Sequence, residues 1–150
     1  MKFDSADQIL DYAIQKEQEA FELYRDLAST LSRPDMKKVF ESFAGEEKQH
    51  KARLEDVKRG DVPLAPKEKI FDLKIGEHLA DVKPSSNLDY QQALIYAMKA
   101  EKAAYKLYHD LAQATDDAAL KDLFLALAQE EAKHKLRFEI EYDDQILSEN

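Results

Sequence analysis

The sequence contains no cysteine. That excludes disulfides, thiolate nucleophiles, Cys-ligated zinc and iron–sulfur clusters in one stroke. Glycine (3) and proline (4) are scarce, so the chain has little of the punctuation that a sheet protein needs at its turns. Basic residues are outnumbered, 22 Lys and Arg against 31 Asp and Glu, and the net charge is −9. With no basic stripe, a nucleic-acid or anionic-membrane surface is not expected. Nor is there a run of about 18 apolar residues that could cross a bilayer. The opening residues, Met1 to Asp7, lack the apolar core of a signal peptide. A soluble cytoplasmic protein is the expectation.

What the chain does have is charge, 35% of its residues, on a background of Ala, Leu, Glu and Lys. Such a composition favours long helices. One hundred and fifty residues suffice for a single domain with a real core. An apolar stripe of Leu10, Ala13, Ile14, Ala20, Phe21, Leu27 and Ala28 predicts a first helix from a cap at Asp4 or Ser5 to about Leu31. Ser32-Arg33-Pro34-Asp35 reads as a turn, with Ser32 capping a second helix and Pro34 in its first turn. That helix carries Met36, Phe40, Phe43, Leu54 and Val57, and ends at Lys58-Arg59-Gly60. Residues 60–86, broken by Pro63, Pro66, Gly76 and Pro84, are too long for a simple turn and suit a crossover, with a short helix or strand between Ile70 and Val82. Ser85-Ser86-Asn87 then caps a third helix running to about Ala114, and Thr115-Asp116-Asp117 turns into a fourth, Ala118 to about Leu147.

The third and fourth helices repeat the first and second at an offset of 84 positions. The stretch from Ala13 to Ala28 aligns without a gap to that from Ala97 to Ala112, and Phe40, Ala44 and Arg53 find counterparts in Phe124, Ala128 and Arg137. The expected architecture is therefore all-α: two like hairpins, residues 5–59 and 87–147, joined by the crossover into one four-helix bundle spanning 1–150.

Within that repeat lie Glu46-Glu47-Lys48-Gln49-His50 and Glu130-Glu131-Ala132-Lys133-His134. Each contains Glu-x-x-His, which sets a carboxylate and an imidazole one turn apart on one helix face. Glu17, Glu47, His50, Glu101, Glu131 and His134 all occupy positions where the helical period calls for apolar residues. Burying unpaired carboxylates is severely destabilising. Two divalent cations would balance four carboxylates and leave two neutral imidazoles to ligate them. Carboxylates with imidazoles suit iron first and manganese next; zinc, calcium and magnesium fit the donor set less well.

This pattern, one Glu on each of two helices and Glu-x-x-His on each of the others, resembles the di-iron proteins of the rubrerythrin and ferritin-like superfamily. The resemblance covers nearly the whole chain except the crossover. It implies a ferritin-like bundle binding two iron ions. Glu17 and Glu101 would each hold mainly one metal, Glu47 and Glu131 would bridge, and His50 and His134 would cap. It also implies a peroxidase or oxidase that reduces peroxide or dioxygen, and a homodimer. Two features depart from a full rubrerythrin. The position one turn after Glu101 is Ala104, as Ala20 is after Glu17, where rubrerythrins carry a further ligating Glu. The Cys-rich rubredoxin domain is missing, so electrons would come from another protein or a small reductant. The ligand set is closer to bacterioferritin's.

Around these ligands, Tyr24 and Tyr108 lie two turns from Glu17 and Glu101 on the same stripe, within reach of a ligating carboxylate; ordinary packing explains them as well. The resemblance also implies that Glu46 and Glu130, each directly before a bridging Glu, would orient a ligating His on another helix through its second nitrogen. His109 is expected at the surface, His78 carries no pattern, and Glu19, Glu22, Glu55 and Glu139 read as solvated helix faces. Two other functions compete with the enzyme: ferroxidase-linked iron storage or sequestration, and a metal-free structural bundle.

Overall fold

The structure, a computed structural model, describes residues 5–60 and 88–149. Four helices account for them: α1 Ala6–Thr30, α2 Pro34–Lys58, α3 Leu88–Ala114 and α4 Ala118–Glu149. No strand occurs among the described residues. The crossover, its expected helix or strand, His78 and the Ser85-Ser86-Asn87 cap lie outside them.

Local chemistry explains the helix ends. Ser5 caps α1 by accepting from the Gln8 N–H at 3.2 Å. At α2 the expected cap is corrected: the N-cap is Arg33, with no side-chain hydrogen bond, and Ser32 lies one residue too early. Pro34 is the first helical residue; it has no N–H to satisfy, which lessens the need for a capping oxygen. Arg33 instead pairs with Asp35 at 2.8 Å. Gly60, with φ of 92°, follows α2, and its N–H donates to the Val57 carbonyl at 2.9 Å; a residue with a Cβ would be strained there. Asp117 caps α4 by accepting from the Leu120 N–H at 3.0 Å. That helix runs two residues past the expected Leu147.

Close packing joins α1 to α2 and α3 to α4, as two hairpins. Between the hairpins the core divides into two apolar clusters. One is aromatic, with Tyr24, Phe40, Phe43, Tyr90 and Phe138. The other is mainly aliphatic, with Leu10, Leu54, Leu111, Leu123 and Leu127 beside Tyr108 and Phe124. The division follows from the sequence. On every helix a polar position interrupts the apolar stripe: Glu17 on α1, Glu47 and His50 on α2, Glu101 on α3, Glu131 and His134 on α4. Each of these residues is buried. Stacked in register, they make a polar layer between the two apolar ones.

Glu139, expected in solvent, is corrected. It is fully buried, and Lys135 reaches it at 3.2 Å from one turn earlier. A lysine at that spacing lets both charges enter the interior together. His109 is half-buried rather than surface-exposed, its ring 4.6 Å from that of Tyr105. Among the described residues, no helix is long and apolar enough to cross a membrane.

Candidate metal centre

The six interior residues converge on two overlapping groups. Glu17, Glu47, His50 and Glu131 form one; Glu47, Glu101, Glu131 and His134 form the other. In each, one ligand atom per residue lies within 4.8 Å of all the rest. Glu47 and Glu131 belong to both.

The imidazoles stand face to face, ring centroids 5.4 Å apart and nearly parallel at 4°. Both turn Nδ1 inward. His50 Nδ1 lies 2.8 Å from Glu131 Oε1 and 3.6 Å from Glu17 Oε2. His134 Nδ1 lies 2.9 Å from Glu47 Oε1 and 3.4 Å from Glu101 Oε1. Each histidine thus meets a shared glutamate from the other hairpin.

These atoms crowd together without satisfying one another. Both oxygens of Glu47 and of Glu131, one each of Glu17 and Glu101, and Nδ1 of both histidines are buried with no hydrogen-bond partner. Buried polar atoms are rarely left so. Eight such atoms aimed at one small volume, all oxygen or imidazole nitrogen, match what hard to borderline divalent cations require. The residues fit a metal.

The electrostatics carry the same strain. Burial, reinforced by the charges of Glu101 and Glu17, raises the Glu47 carboxyl well above its ordinary 4.5. Burial and the charges of Glu101, Glu47 and Glu17 do the same to Glu131. Burial alone would lower His134, but contact with Glu101 and neighbouring carboxylates outweighs it and pushes the imidazole up to about 12. Cations at this place would relieve the crowding that drives these shifts.

Tyr24 and Tyr108 are both buried at the layer's edges. Tyr24 donates its hydroxyl to Glu101 and Tyr108 donates to Glu17. The pairing is crosswise: each tyrosine serves the glutamate of the opposite hairpin, not the one two turns away on its own helix. Burial raises both phenols well above 10.0, with Glu101 next in effect for Tyr24 and Glu17 for Tyr108, so both remain donors.

Glu46 and Glu130 lie on the outer side of the histidines. Glu130 Oε2 is 3.5 Å from His50 Nε2, and Glu46 Oε1 is 3.6 Å from His134 Nε2. Contact with His134 pulls Glu46 down to about 2 against the opposing effect of its partial burial. The sequence reading missed what sits behind them: Arg53 pairs with Glu130, and Arg137 with Glu46 at 3.0 and 3.2 Å. The signal was present, since both repeats read Glu-x-x-His-x-x-Arg.

A four-helix bundle with this interior is a ferritin-like protein. A family model described as Rubrerythrin matches residues 8–142, and the chain belongs to the rubrerythrin family. Among solved structures it is similar to a hypothetical protein from Pyrococcus furiosus, at 29% identity and a TM-score of 0.66, over 93% of this chain and 89% of that one. No curated protein matches it.

Proposed function

We propose that the chain is a non-haem di-iron oxidoreductase that reduces peroxide or dioxygen with electrons from an external donor. The observation that carries this reading is the pair of overlapping ligand groups sharing Glu47 and Glu131. Two divalent cations would neutralise the four carboxylates. Glu17 and His50 would serve one position, Glu101 and His134 the other, and the shared glutamates both. The donor set favours iron, with manganese next. Bound iron would supply electrons and act as a Lewis acid.

The chain's own contribution is position and environment. Glu47 and Glu131 set the separation of the two positions. The Tyr24 and Tyr108 hydroxyls keep Glu101 and Glu17 from swinging away, and Glu46 and Glu130 face the outer nitrogens of the imidazoles. Apolar layers on both sides limit water, so the charges interact more strongly than they would in solvent. Electrons would arrive from a separate protein or a small reductant. On the same reading the protein works in the cytoplasm as a homodimer.

Anaerobic protein loaded with ferrous iron and mixed with peroxide or dioxygen in a stopped-flow instrument tests the proposal. Oxidation of the bound iron should outpace that of free ferrous ion, and added reductant should restore the starting spectrum. Oxidation no faster than in buffer would defeat it.

A further inference from the structure

Each repeat extends its motif by one more turn: Glu47-x-x-His50-x-x-Arg53 on α2 and Glu131-x-x-His134-x-x-Arg137 on α4. Spacing of three puts the arginine beside its histidine on the helix face. Its guanidinium, however, goes to a third residue on the other hairpin. Arg53 Nη1 donates to Glu130 Oε2, the same oxygen that stands 3.5 Å from His50 Nε2. Arg137 Nη1 donates to both oxygens of Glu46, whose Oε1 stands 3.6 Å from His134 Nε2. Arg137 is held in turn over the Phe43 ring, 4.4 Å from its centroid.

The gap between imidazole and carboxylate is too long for a hydrogen bond yet well inside ion-pair reach. Attraction to the imidazole draws a carboxylate to that side but does not fix which way it turns, because water competes for its other contacts. Glu46 and Glu130 are both partly exposed. In both halves an arginine supplies the second contact that sets the carboxylate's orientation. Surface ion pairs are ordinarily worth little. These two recur at matching positions of the repeat, and each ends on a histidine whose other nitrogen faces the carboxylate cluster.

We propose that Arg53 and Arg137 are positioning residues for the two imidazoles. Each fixes a carboxylate from the opposite hairpin behind Nε2, so that Nε2 keeps its hydrogen and Nδ1 presents its lone pair to the metal. This rests on reading the cluster as a metal centre. Outer partners of ligating histidines commonly change metal affinity by about 10–100-fold. The positive charge matters more here than the guanidinium fork, because a single nitrogen makes every contact; an ammonium group fits the same place.

Cobalt(II), titrated into the metal-free protein and followed by its visible spectrum, is the probe. Arg53→Gln and Arg137→Gln should each weaken one of two binding steps by roughly tenfold and shift the absorption bands. Arg53→Lys and Arg137→Lys should restore affinity and bands while leaving the helical content unchanged. Wild-type affinity and spectrum in the Gln variants would overturn the proposal, as would equal losses in the Lys variants. If wild-type protein takes up no cobalt, the metal-centre reading fails on its own. Proton NMR of the metal-free protein then decides: Nε2–H signals of His50 and His134 that are protected from exchange with water and lose that protection in the Gln variants sustain the positioning role, and unchanged protection refutes it.

Discussion

Replacing Glu47 with glutamine should make the metal-free protein more stable and the metal-loaded protein less so. Glu47 is fully buried with both oxygens unpartnered, and burial followed by Glu101 and Glu17 raises its carboxyl well above 4.5. A carboxyl raised in the folded state holds its proton there but ionises freely in the unfolded chain. Its cost is therefore nil below its ordinary pKa and grows as the pH climbs above that value, until the folded carboxyl also ionises. Each unit of mismatch is about 1.36 kcal/mol, so near pH 7 the penalty is at most about 3 kcal/mol. Glutamine keeps the shape and has no proton to lose. At about 2–4 °C per kcal/mol for a chain of this size, Glu47→Gln should melt up to roughly 6–12 °C above wild type in EDTA near neutrality. The two should coincide near pH 4.5, where the ordinary glutamate value falls. Manganese(II), which is stable in air, should reverse the order: at a thousandfold excess over its Kd one site adds about 4 kcal/mol to the wild type and little to the variant. Calorimetry in EDTA and in manganese across that pH range reads all of this. A variant that melts below wild type in EDTA near pH 7 would show that the ionised side chain supports the empty core, and the case for cations would collapse.

Further substitutions probe the surroundings. Gly45 lies exposed inside α2, and a Cβ there would meet nothing within 4 Å; Gly45→Ala should raise stability by about 1 kcal/mol in urea titrations, and a loss would reveal a contact the monomer does not contain. Lys135→Ala removes the ammonium that lies 3.2 Å from the buried Glu139 carboxylate and should cost about 3–5 kcal/mol, whereas Lys135→Met combined with Glu139→Leu should recover most of it; equal losses in both would mean that the charges are not what matters. Tyr24→Phe removes the hydroxyl that Glu101 accepts from and should cost about 1–3 kcal/mol in metal-free protein, with no effect on stability arguing that the hydroxyl only fills space.

The helices and the polar layer were legible because helical periodicity reports which face a residue occupies. Six ionisable residues on apolar faces could go nowhere but inward. Periodicity does not report what lies opposite. Tyr24 and Glu17 share a stripe, which put the hydroxyl within reach of a ligating carboxylate without saying which one; it reaches Glu101 across the bundle. Arg53 and Arg137 fall at positions that any solvated helix would fill with a charge, so their part emerges only once Glu130 and Glu46 are seen beside them. Glu139 failed for a related reason: its burial depends on what covers that side of α4 and on Lys135 entering with it. Ser32 failed because a proline at the first helical position shifts the cap by one residue.

Neither half of this chain owns a complete set of donors. Three of the four residues in each group come from one hairpin, and the fourth is lent by the other: Glu131 to the first group and Glu47 to the second. The tyrosine hydroxyls and the arginines trade sides in the same way. Such reciprocity is the signature of a twofold axis, the arrangement that two identical hairpins would adopt on meeting. A single ancestral hairpin could have built this centre only by pairing with its twin, and linking the twins into one polypeptide would have made that encounter permanent and freed each copy to diverge.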